Sequence, residues 1–187
     1  MTLFIMSGIP GSGKSTLAKQ LSEEWSIPII SSDDIRKGVL IEFGITDVDH
    51  PDDIKDHDRK AEIVHKVESK TWGSLRYYLE NKLQTEDAVI LDTTAAKISY
   101  IREWISFAER YGHRPKIVMM NNSLLQCMEW NKSRTRVVPN HVMEGMYEAW
   151  IETKVIVKMT PELNRFLIMS SDAMHVNPFR EHEYGEK

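Results

Sequence analysis

One cysteine, Cys127, is all that the 187 residues contain. That excludes a disulfide framework and a cysteine-built zinc cluster, and a reducing, cytoplasmic setting is expected (a host cytoplasm if the chain is of phage origin). No apolar run approaches the roughly 18 residues of a membrane span. Met1 to Ser7 is apolar but only strand-length and has no basic start, so neither signal peptide nor membrane anchor is expected. Positive charge is not in excess: the formal net charge is −4. Proteins that coat nucleic acid non-specifically are usually basic, so a nucleic-acid partner would need a local basic site. Repeats, low-complexity stretches and linkers are missing too, which favours a single domain over residues 1–187. His50, His57, His65 and His113 lack metal-ligand spacing.

What is present is an alternation of short β-type runs with longer helical patterns, which argues for an α/β fold: a parallel sheet with helices on both faces. Leu3–Met6 predicts a strand, and Lys14–Trp25 a helix with Leu17, Ala18 and Leu21 on one face. Ile27–Ile30 is a second short run, and Ser31, Ser32, Asp33 and Asp34 all offer N-caps for the helix that follows. Residues 44–58 read as an acidic loop broken by Pro51. Asp58–Leu83 predicts a long helix with Ile63, Val67, Leu75, Leu79 and Leu83 in one stripe and Trp72 close by. Ala88–Leu91 is a buried strand ending in Asp92. A helix over Ile98–Tyr111 stopped by Gly112, a strand over Lys116–Met120 and a helix over Ser123–Asn131 come next. Lys132–Val138 is basic and irregular, and Pro139 sits near the start of a helix to about Val157. Phe166–Met169 is a candidate last strand, and a loose end is expected over 177–187.

The string Gly8-Ile9-Pro10-Gly11-Ser12-Gly13-Lys14-Ser15 matches G-x-x-x-x-G-K-[ST] without deviation. By chance it arises in on the order of 1 in 100 chains of this length, and here a strand precedes it and an amphipathic helix follows. Its glycines let backbone N–H groups approach phosphate oxygens, and the positive end of the helix, with Thr16 in its first turn, points at the same anion. Lys14 is expected to reach the β- and γ-phosphates of ATP, and Ser15 to ligate Mg²⁺.

Four further features have the form of a phosphoryl-transfer site. Asp33 follows the second strand, at the sheet edge where ligands bind; it is either a general base for an attacking hydroxyl or a helix cap. Arg36, one turn on, either holds the acceptor or is a solvated surface residue. Asp92 ends a strand as a Walker-B acid does, and Thr93 and Thr94 after it either bond a substrate phosphate or cap the next helix. Lys132, Arg134 and Arg136 form a basic stretch suited to cover the γ-phosphate and exclude water, or simply a charged loop.

With the P-loop, Ser32-Asp33-Asp34-Ile35-Arg36, Asp92-Thr93 and the lid from Asn131 to Pro139 ahead of Met146-Tyr147, residues 1–150 resemble the polynucleotide 5′-kinases and the small P-loop kinases related to them. The resemblance implies a P-loop kinase fold with a basic lid over about 131–139. It implies Asp33 as general base, Arg36 beside the acceptor, Asp92 orienting that arginine, and Arg134 or, one length step away, Arg136 on the donor phosphates. It also implies ATP and Mg²⁺ as cofactors and, often, a homo-oligomer. This chain departs at Trp130, where the family commonly has a basic residue, and at the strand end, where the family's usual D-[AT]-[TN]-N is here Asp92-Thr93-Thr94-Ala95-Ala96-Lys97. The second departure lies on the acceptor side. No room remains for the phosphatase domain some members carry, so 3′-phosphatase activity is not expected.

The function expected is therefore transfer of the γ-phosphate to a nucleic-acid hydroxyl, by default the 5′-OH of DNA or RNA. The hydroxymethyl group of 5-hydroxymethyluracil in phage DNA, presented by base flipping, and free nucleosides or small alcohols remain open as acceptors. A switch or motor ATPase is the alternative of another class. Asn131-Lys132-Ser133-Arg134 begins like a guanine-reading N-K-x-D but lacks its aspartate, and a motor is normally larger. A dead binding module is disfavoured by the joint presence of Lys14, Ser15 and Asp33.

Overall fold

A computed structural model of the chain describes residues 1–45, 57–134 and 137–175. Strand β1, Thr2–Ser7, is buried at every position, as an unbroken apolar run must be when helices cover both faces of a parallel sheet. Helix α1 spans Lys14–Trp25, β2 Ile29–Ser31, α2 Ser32–Glu42, α3 His57–Thr85 and β3 Ala88–Asp92. Helix α4, Ile98–Arg110, precedes β4, Arg114–Met119, then α5, Leu124–Asn131, and α6, Asn140–Met159. A single-turn α7, Pro161–Asn164, leads to β5, Leu167–Met169.

The five strands lie in the order β2-β3-β1-β4-β5, all parallel. Met6 pairs in register with Asp92 and with Val118, and Ser31 with Asp92. The carboxyl ends of β1, β2 and β3 therefore come level at one edge, where the order reverses around β1 and a crevice opens.

Alternation along β1 divides the core. Leu3 and Ile5 face Leu75, Leu79, Leu83 and Trp104 of α3 and α4, while Phe4 and Met6 face Leu17, Ala18 and Leu21 of α1. Leu75, Leu79 and Leu83 are almost wholly buried, each contributing roughly 1.5–3 kcal/mol of transfer free energy. A smaller cluster, Ile9, Ala96, Cys127, Met143 and Trp150, ties the glycine-rich turn to α5 and α6.

The expected elements are all found, with small shifts. Helix α4 ends one residue early because Gly112, at φ 73°, turns the chain. Strand β4 begins at Arg114, earlier than apolarity suggested, because the Arg114 amide bonds Met1 O across the ladder. Helix α7 was not expected; Pro161 starts it at the position proline favours. Most of the expected 44–58 loop and all of 177–187 lie outside the described residues. Among the described residues no helix is long and apolar enough to cross a membrane.

Candidate active site

The site is built first by backbone. The Gly8 amide donates to Thr94 O at 3.0 Å, and Ser7 Oγ donates to Ala95 O at 2.9 Å. These bonds fix the start of the glycine-rich turn to the segment leaving β3. Gly11 has φ +73°, and a Cβ there would stand 2.2 Å from Cys127 O. Only glycine fits both the conformation and the space. Gly13, at φ 83°, opens α1, so the free N–H groups of its first turn face the cleft.

Lys14 is 9% exposed, and its Nζ donates to Ile9 O at 2.9 Å. Burial lowers its pKa to about 8; the nearby Asp92 and Asp33 raise it and Arg134 lowers it further. Ser12 is buried and its Oγ has no partner. A buried hydroxyl without a partner costs free energy, which an anion in the turn would return. Ser15 donates to the Asp92 carboxylate, and burial raises the Asp92 pKa while Ser15 and Lys14 pull it back. Pro10 and Thr16 complete this wall of the cleft.

The opposite wall comes from α2, α3 and the end of β3. The cap of α2 is Ser31, whose side chain accepts from the Asp34 amide at 3.3 Å. Asp33 is thus released from capping and lines the cleft, exposed. Arg36, one turn later, forms an ion pair with Glu68 of α3. The Asp92 carboxylate takes a hydrogen bond from Ser15, and the registry of β1 and β3 sets it against the glycine-rich turn. Thr93, 2% exposed, has an Oγ1 without a partner, and lines the same cleft.

The lid begins with Asn131, almost wholly buried. Its Nδ2 donates to Val138 O at 2.8 Å and its Oδ1 accepts from the Val138 amide at 3.1 Å. One side chain therefore clasps both ends of the basic loop. Arg134 reaches across to Asp33, with Nη2 to Oδ2 at 3.5 Å. Lys132 turns away to Glu129 on the preceding turn, at 2.5 Å, an ordinary surface pair. Arg136 lies outside the described residues.

Together these walls enclose about 1150 Å³. Glu68, Trp72 and Tyr100 also line it, and sequence reasoning had not assigned them to the site. Glu68 and Trp72 are one turn apart and border the apolar stripe of α3, a spacing that could have flagged them. Among the described residues no cluster of three or more His, Cys, Asp or Glu side chains could hold a metal by itself.

A cytidylate kinase of Methanococcoides burtonii (strain DSM 6242 / NBRC 107633 / OCM 468 / ACE-M) is 46% identical over 44 residues, 24% of this chain and 25% of that protein. The chain thus matches a quarter of the length of that relative. Among solved structures, a gluconokinase from Sinorhizobium meliloti 1021 aligns with a TM-score of 0.54 at 17% identity, over 90% of this chain and 81% of that one. The Pnkp1/Rnl/Hen1 RNA repair complex contains a chain that aligns with a TM-score of 0.64 at 18% identity, over 82% of this chain and 45% of its own length. At such identities the likeness is one of fold, that of the P-loop kinases. Residues 3–152 match the AAA domain family, and they include the glycine-rich turn, both cleft walls and the lid; the chain belongs to that family.

Proposed function

We propose that this protein is an ATP-dependent kinase that transfers the γ-phosphate to a hydroxyl group of nucleic acid, by default the 5′-OH end of DNA or RNA. The observation that carries this is the position of Asp33: uncapped, in one cleft with the glycine-rich turn, and 3.5 Å from a lid arginine.

The residues fit a triphosphate. Positive-φ glycines leave room for phosphate oxygens, an orphaned Ser12 hydroxyl lies beside them, and Lys14 carries the charge. Ser15 and Asp92 would hold Mg²⁺, directly or through water, and the ion would neutralise charge between the β- and γ-phosphates. Asp33 takes the proton from the acceptor hydroxyl, whose oxygen forms the new bond to the γ-phosphorus. The bond to the β–γ bridging oxygen breaks, and ADP leaves with those electrons. Lys14 and the turn's N–H groups hold the donor, and Arg134 meets the negative charge that spreads over the transferring oxygens. Arg36, held by Glu68, orients the acceptor.

A specific observation favours one further acceptor, a nucleoside monophosphate: the short match to a protein named cytidylate kinase. The test is incubation with γ-labelled ATP and Mg²⁺ against 5′-OH DNA and RNA oligonucleotides, 5′-blocked hydroxymethyluracil DNA, nucleosides, CMP and gluconate. Label on the 5′-OH ends is expected. Label on CMP or gluconate alone overturns the nucleic-acid assignment, and ATP hydrolysis that no acceptor changes overturns the kinase.

A further inference from the structure

Three aromatic rings on α3 and α4 form a column that runs from the core into the acceptor wall. Trp104 is wholly buried. Trp72 stacks on it at 6.3 Å between centroids, and Tyr100 stacks on Trp72 at 5.7 Å with planes only 7° apart. Tyr100 ends the column: among the described residues it has one ring partner, is half-buried, and lines the cleft with Trp72. Trp72 lies one turn beyond Glu68, and Glu68 holds Arg36, so the column stands beside the residues that face the acceptor. Lys97, exposed, caps α4 three residues before Tyr100 and lines the same wall.

A parallel aromatic pair wholly inside a core needs no ligand to explain it. Here the outer member is open to a cleft, and the Thr93 hydroxyl, buried and without a partner, lines the same cleft. We propose that Tyr100, backed by Trp72, is a stacking shelf for the terminal nucleobase of the acceptor, with Lys97 near the phosphate that links this nucleotide to the next. The inference rests on the nucleic-acid kinase reading and narrows it. Tyr100 is a specificity residue under this proposal; it takes no part in the chemical step.

Base–aromatic stacking commonly changes affinity by roughly 5- to 150-fold per base. The test compares kcat/KM for two single-stranded oligonucleotides that carry the same 5′-OH: one with an ordinary terminal nucleoside, one with a terminal tetrahydrofuran abasic residue. The wild-type protein should prefer the base-bearing end by about 5- to 150-fold. Tyr100→Leu should lose most of that preference, chiefly through KM, and Tyr100→Phe should retain it. Equal use of both ends by the wild-type protein overturns the shelf and leaves the kinase standing. So does a Tyr100→Leu protein that keeps the full preference. If ATP binds and neither end is phosphorylated, the nucleic-acid kinase reading itself fails and takes the shelf with it.

Discussion

The guanidinium of Arg134 stands 3.5 Å from the carboxylate of Asp33, although 101 residues separate them in the chain. One belongs to the basic segment after α5 and the other to the first turn of α2. Under the proposed kinase reading, their approach lets one arginine meet both the attacking and the transferring groups. Arg134→Ala should lower kcat by about 10²- to 10³-fold, in the range of lost transition-state donors. The binding constant for ATP should move far less. A steady-state assay with a separate nucleotide titration checks this; equal losses in both would assign Arg134 to ground-state binding.

Asn131 joins the two flanks of the basic segment by bonding both backbone polar groups of Val138. Asn131→Ala should cost about 1–3 kcal/mol of stability and raise KM for ATP. Lys132→Ala removes only an exposed pair with Glu129 and should stay within about 0.5 kcal/mol of wild type. Urea unfolding of the two variants separates the clasp from the surface charge.

Gly11 is where sterics leave no alternative. A Cβ would collide with Cys127 O at 2.2 Å in a left-handed conformation. Gly11→Ala should destabilise the fold by about 2–4 kcal/mol and weaken ATP binding. The urea midpoint should fall with little change in slope.

Lys14 sets a pH dependence. Its pKa is lowered to about 8 from 10.5 by burial, so between those values the unfolded chain holds the proton more tightly. Stability of the ligand-free protein should therefore rise with pH across that window from this group. A bound triphosphate favours the charged amine, so nucleotide binding at pH about 8.5 should take up protons, and binding should weaken as pH rises further. Calorimetry in buffers of different ionisation enthalpy reads the uptake. Lys14→Ala should abolish both the uptake and phosphoryl transfer.

Much of this was legible in the sequence because the local rules were strong. The glycine spacing of residues 8–15 dictates strand, turn and helix together, and Asp92 follows from the end of an apolar run. The two readings of Asp33 could not be separated there, since four consecutive residues can each cap a helix; the structure gives the cap to Ser31, and the general-base role remains the proposal. Glu68 was hidden among many charged residues of α3, and only the packing of α2 on α3 reveals its pairing with Arg36. Trp72 was legible only as a neighbour of the apolar stripe of α3, and Tyr100 carried no signal of its own. Tyr100 joins the cleft because α4 begins just past the carboxyl end of β3, a relation set by the sheet and not by local sequence. The part played by Arg136 belongs to residues outside those described.

The central claim is that Asp33 readies the attacking hydroxyl. Its most direct test is the rate of phosphate transfer to a 5′-OH oligonucleotide by Asp33→Asn, with ATP affinity measured on the same protein. ATP binding within a few-fold of wild type is expected, with a rate lower by about 10²- to 10⁴-fold. A variant that binds ATP normally and transfers phosphate at the wild-type rate would contradict it.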